Sequence, residues 1–123
     1  MAYISGMAWP LNVVAETSSY LAWARKILGD DERDEIVDLL AEDPTRGVLL
    51  KGTGGVRKFR YAPEGRGKSG GVRIIYYFHS QAMPVYVLAG FAKNEKDNLT
   101  TSESNALRKL VDVLVARHME RRE

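Results

Sequence analysis

The chain has 123 residues, and 18 Lys and Arg stand against 16 Asp and Glu, for a formal net charge of +2. That length is the size of a single domain able to bury a core, and a composition 45% hydrophobic and 28% charged is that of a globular protein. No apolar run reaches the ~18 residues a membrane-spanning helix needs. The absence of Cys excludes a disulfide scaffold, a thiolate metal site and a Cys nucleophile, and it fits a reducing, cytoplasmic setting.

The total of +2 hides a strong polarisation. Residues 30–43 carry eight acids and one base, whereas residues 51–73 carry seven bases and one acid. A local basic excess of that kind is the footprint an anionic partner requires.

In chain order, residues 1–10 (MAYISGMAWP) lack the basic start and long apolar core of a secretory signal and read as a possible extension, with Met7 an alternative start. Leu11–Glu16 predicts a short strand. Ser18 or Ser19 can cap a helix whose apolar stripe is Leu21, Ala24 and Ile27/Leu28, stopped at Gly29. Asp30 and Asp31 open a second helix, with acids at the positive end of its dipole, Ile36, Leu39 and Leu40 as its buried stripe, and Asp43-Pro44 as its end.

Seven of the eleven glycines then fall between Gly52 and Gly71. Gly52-Thr53-Gly54-Gly55 lacks the Lys-Ser/Thr sequel of a phosphate loop and reads as a turn. Val56–Tyr61 predicts a strand, residues 62–71 a turn region, and Val72–His79 a β-branched and aromatic strand. Ala82-Met83-Pro84 makes the next turn, and Val85–Ala92, nearly free of charge, predicts a central strand. Thr100-x-x-Glu103 is a capping box for a last helix with Leu107, Leu110, Val111 and Leu114 on one face; the polar tail 117–123 is expected to fray. The expectation is one α+β domain over 1–123, ordered β-α-α-β-β-β-α, with a small antiparallel sheet, two N-terminal helices and one C-terminal helix.

Alternation across a strand separates Val56, Lys58 and Arg60 from Arg57, Phe59 and Tyr61. The aromatic face is expected to pack on the helices, with Arg57 near its end, where it can escape and is a candidate RNA contact. Lys58 and Arg60 then share the other face with Arg73 at the start of the next strand and Lys93 after the last one. Arg66, Lys68 and Lys96 are candidate rim residues, and Tyr77, on the face of Arg73, is a candidate for stacking on a base. Clustered guanidinium and ammonium groups hold phosphate and stabilise the extra charge of a pentacoordinate phosphorus. Crowded like charges also lower proton affinity, so a Lys in such a cluster is drawn toward acid/base work. The chemistry that fits is RNA cleavage without metal or cofactor, the 2′-hydroxyl attacking its own phosphate. His79 and His118 have no metal-ligand spacing; His118, near a helix end, is expected to be exposed or to pair with the dipole. Trp9 and Trp23 read as packing residues, and Glu64 as a turn ion pair.

The run KGTGGVRKFRYAPEGRGKSGGVRIIYYF, followed by VYVLAGFAKNEKDNLT, resembles toxins of the RelE/HigB family in the HigB-type branch, over roughly residues 35–112. The resemblance implies a RelE-like fold and the toxin of a type II toxin–antitoxin module, a metal-independent mRNA endonuclease acting on the ribosome. It implies as partners mRNA, the ribosome and an antitoxin, usually a HigA-like helix-turn-helix protein, but no membrane. The family's basic positions fall on Lys58, Arg60, Arg73 and Lys93, with Lys96 nearby. Some members place a Tyr or His near the start of the last helix, where this chain has Asn98-Leu99-Thr100. Lys58 and Lys93 therefore become the acid/base candidates. ParE-type relatives share the fold and poison gyrase, so a protein-binding toxin and a catalytically weak RNA-binding member are the alternatives.

Overall fold

The computed structural model describes residues 11–62, 71–92 and 98–121. Its elements are β1 (Val14–Glu16), α1 (Ser18–Ile27), α2 (Asp30–Glu42), β2 (Val48–Leu49), β3 (Val56–Tyr61), β4 (Val72–Tyr77), β5 (Val85–Ala92) and α3 (Thr101–Arg121). The strands form one five-stranded sheet in the order β1-β5-β4-β3-β2. The class is α+β, as the sequence predicts.

Three details differ from expectation. The sheet is mixed, because β1 pairs parallel with β5, Val14 opposite Val85. Parallel strands need a long connection, and most of the chain separates these two. A second difference is β2, two exposed residues with no alternation to betray them. Its register comes from elsewhere: Gly47 N donates to the buried Tyr76 hydroxyl at 2.8 Å, and Arg57 Nη1 donates to Gly47 O at 2.8 Å. A Cβ at Gly47 would lie 2.8 Å from that hydroxyl and 2.9 Å from Lys58 O, so only glycine lets the chain pass there. The third is α3, which carries the polar tail on to Arg121, since extending a formed helix is cheap compared with starting one.

The helix starts follow local chemistry. Thr17, rather than Ser18 or Ser19, caps α1: its Oγ1 accepts from Tyr20 N at 3.3 Å and donates to Val87 O at 2.8 Å, tying the helix to β5. Glu32 Oε1 accepts from Gly29 N at 2.8 Å ahead of α2. The capping box of α3 is reciprocal, Thr100 N to Glu103 Oε1 at 2.8 Å and Glu103 N to Thr100 Oγ1 at 3.1 Å.

Both faces of the sheet are covered. On one, Tyr20, Ala24, Leu28, Ile36 and Leu40 of the α1–α2 layer pack on Phe59, Tyr61, Ile74, Tyr76, Val85 and Val87. On the other, Val111 of α3, with Leu107, Leu114 and Val115, packs on Val56, Ile75, Tyr77, Leu88 and Phe91. A β-bulge between Ile75 and Tyr76 pairs them with Ala89 and Val87, leaving Leu88 as the extra residue. The bulge reverses the alternation of β5, so Phe91 faces the α3 side beside Arg73, its register partner.

Candidate functional site

The α3 side of the sheet is apolar toward β5 and basic toward β2. Arg60 and Arg73 are cross-strand partners, and Lys58 lies between Val48 and Ile75 in the next row. Antiparallel partners point to the same face about 5 Å apart, so these three cations share one surface. Gly71 makes room for the two guanidiniums: a Cβ there would sit 3.0 Å from Arg60 Nε and 3.6 Å from Arg73 Nη1. Arg73 Nη1 is buried and has no hydrogen-bond partner among the described residues. A buried donor without an acceptor costs about 1–3 kcal/mol, so this one is poised for an anion.

Arg46, Val48, Lys58, Phe59, Arg60 and Arg73 enclose an open cavity of about 330 Å³. The volume and the donor set suit a phosphodiester with part of its sugar. Arg46 enters from the loop between α2 and β2, with its Nε held on Leu39 O at 3.2 Å. The sequence reading missed it, because a loop residue belongs to no periodic face.

Sequence expectations divide accordingly. Lys58, Arg60 and Arg73 come together on one face. Arg57 does not join them: it lies on the helix-facing side, and Nη1 holds Thr45 O at 3.2 Å and Gly47 O at 2.8 Å, a backbone brace rather than an RNA contact. Tyr77 is corrected as well. It is 5% exposed inside the α3 cluster, with its ring edge against Gly55, so it offers no open face for a base. Burial, reinforced by the Asp112 charge, raises its hydroxyl above the ordinary tyrosine range. His118 Nε2 is buried without a partner among the described residues instead of lying open to solvent. Lys93, Lys96, Arg66, Lys68, Glu64 and Trp9 lie outside the described residues.

The Gly52–Gly55 segment is a turn, as expected. Gly54 and Gly55 take φ of 78° and 118°, and the buried Thr53 Oγ1 donates to Leu50 O at 2.7 Å and accepts from Val56 N at 3.1 Å. It fixes the entry into β3 and hence the facing of Lys58 and Arg60. Beside the basic site, a larger and mostly apolar groove of about 550 Å³ runs between α3, β5 and Trp23. Phe91 lines it next to Arg73, so the apolar groove closes the β5 side of the basic cavity.

Comparison with known proteins agrees with this geometry. The family described as RelE toxin of the RelE/RelB toxin–antitoxin system matches residues 17–121. A solved mutant of the E. coli toxin RelE in the free state is similar in fold, with a TM-score of 0.53 at 19% identity, covering 76% of this chain and 94% of that one. Among the described residues no helix is long and apolar enough to cross a membrane. With most of its length matched to that family and its topology shared, the chain belongs to the RelE toxins, the toxin halves of toxin–antitoxin systems.

Proposed function

We propose that this toxin is a metal-independent endoribonuclease that cuts mRNA on the translating ribosome, in the cytoplasm, and so inhibits translation. The observation that carries the reading is the Arg60–Arg73 pair over Gly71, with a buried Arg73 donor that has no acceptor among the described residues. In this reading the scissile phosphate sits on Arg60 and Arg73. The 2′-oxygen attacks the adjacent phosphorus, the bond to the 5′-oxygen breaks, and a 2′,3′-cyclic phosphate and a 5′-hydroxyl remain. The guanidiniums stabilise the negative charge that grows on the phosphorane oxygens. Lys58, one row from the pair, is the near acid/base candidate, and Lys93 the other. Arg66, Lys68 and Lys96 are proposed to hold flanking RNA. The antitoxin, of the helix-turn-helix type in the HigB-like branch this chain resembles, holds the toxin inactive.

Induced expression of the wild type in bacteria is expected to arrest growth and to create new mRNA 5′ ends. Arg73→Ala is expected to lower cleavage by on the order of 10²–10³-fold, as loss of a transition-state donor does. Growth arrest by both proteins with no new 5′ ends in either would overturn the reading and favour a toxin that acts by binding a protein.

A further inference from the structure

The basic cavity has a fourth cation whose position sets the direction of the strand that enters it. Resting on the ribonuclease reading above, we infer that Arg46 is an outer phosphate clamp, holding the backbone phosphate next to the one at Arg60 and Arg73, so that the RNA leaves the site across the β2 edge of the sheet. Three observations carry this. Arg46 lines the same cavity as Lys58, Arg60 and Arg73, from the side opposite β5. It is fixed there: its Nε donates to Leu39 O at 3.2 Å near the C-terminus of α2, and its backbone N donates to Asp43 O at 3.2 Å. A guanidinium held through one nitrogen presents the rest of its fork with less freedom left to lose on binding.

The third observation is the shape of the alternatives. Toward β5 the wall is Phe91 and the apolar groove under Leu99, Leu107 and Leu110, with no cation among the described residues that line it. Toward β2 the floor is Val48, which is 69% exposed and flat enough for a sugar or base to lie over. Arg73 of β4 faces Arg60 of β3, Lys58 follows two residues along β3, and Arg46 stands on the loop ahead of β2, whose Val48 pairs with Lys58. A polyanion follows such a line.

The test is binding of a single-stranded 2′-O-methyl oligoribonucleotide, which this chemistry cannot cleave, read by fluorescence anisotropy over a range of NaCl. The proteins are the wild type, Arg46→Ala, Arg46→Lys, Arg73→Ala and the remote α1 control Arg25→Ala. Each phosphate contact contributes about 0.7 to the slope of log K against log salt on a single strand. Arg46→Ala is expected to bind about tenfold more weakly at low salt and to lose about that 0.7 of slope. Arg46→Lys is expected to keep the slope, while Arg25→Ala matches the wild type. If Arg46→Ala keeps both the affinity and the slope of the wild type while Arg73→Ala loses them, the clamp is overturned and the ribonuclease site stands. If the wild type does not bind, or Arg73→Ala binds equally well, the site itself falls and the clamp with it.

Discussion

Tyr20 shows what burial does to one hydroxyl. The residue is 0% exposed, and its Oη has no hydrogen-bond partner among the described residues. Burial first and the Glu16 charge second, against the opposing pull of Arg33, push its pKa up to about 12. The folded state therefore holds this proton more tightly than the unfolded chain, whose tyrosine titrates at 10.0. The contribution is complete below pH 10 and is lost as pH rises from there toward 12. Tyr20→Phe is expected to leave stability at pH 7 unchanged or slightly higher and to flatten the decline above pH 10, measured by urea unfolding across that range. Tyr76 is the opposite case. Its hydroxyl accepts from the buried Gly47 N at 2.8 Å, so Tyr76→Phe strands that donor and is expected to cost about 1–3 kcal/mol in the same measurement. Equal behaviour of the two variants would contradict the hydrogen-bond assignments.

Among the elements, α3 depends on its first turn. Thr100→Ala removes the Oγ1 that accepts from Glu103 N and is expected to cost about 0.5–2 kcal/mol, with helicity loss visible by circular dichroism. This capping box was legible from Thr100-x-x-Glu103 alone, and so were the three long strands, because alternation and turn residues are local signals. So was the facing of Lys58 and Arg60, which follows from the opposite demand of Phe59 and Tyr61 for the core. What the sequence did not reveal is set by contacts between distant residues. Pairing of β2 depends on Gly47 meeting Tyr76, and the joining of Val14 to Val85 depends on the whole sheet. Tyr77 shares a face with Arg73, as alternation requires, but its burial is decided by where α3 lies across that face, and no strand pattern contains that. Gly90 is a further contact of this kind. Its missing side chain admits the Trp23 indole, so Gly90→Ala is expected to displace the ring, cost about 1–3 kcal/mol and shift tryptophan emission to the red.

At the scale of the molecule, the two covering layers are unequal. The α1–α2 layer buries Tyr20, Ala24, Leu28, Ile36 and Leu40, whereas Val111 is the one residue of α3 buried among those described. Leu110, Val113 and Met119 of α3 stay 39%, 47% and 53% exposed. Few buried apolar contacts mean a small free energy of local opening. Native-state hydrogen exchange is expected to release the amides of α3 well before those of β4, whose Ile74, Ile75 and Tyr76 are 0% exposed. Equal protection in the two would show that α3 opens only with the whole domain.

The parallel pairing of β1 with β5 also bears on how the protein is made. Val14 leaves the ribosome well before its partner Val85. Arg60 and Arg73 are synthesised in between, on a hairpin whose helix-facing core still lacks Val85 and Val87. The sheet therefore closes late, as expected where pairing is non-local. A nascent chain of this toxin therefore carries Arg60 and Arg73 before it has the framework that aligns them.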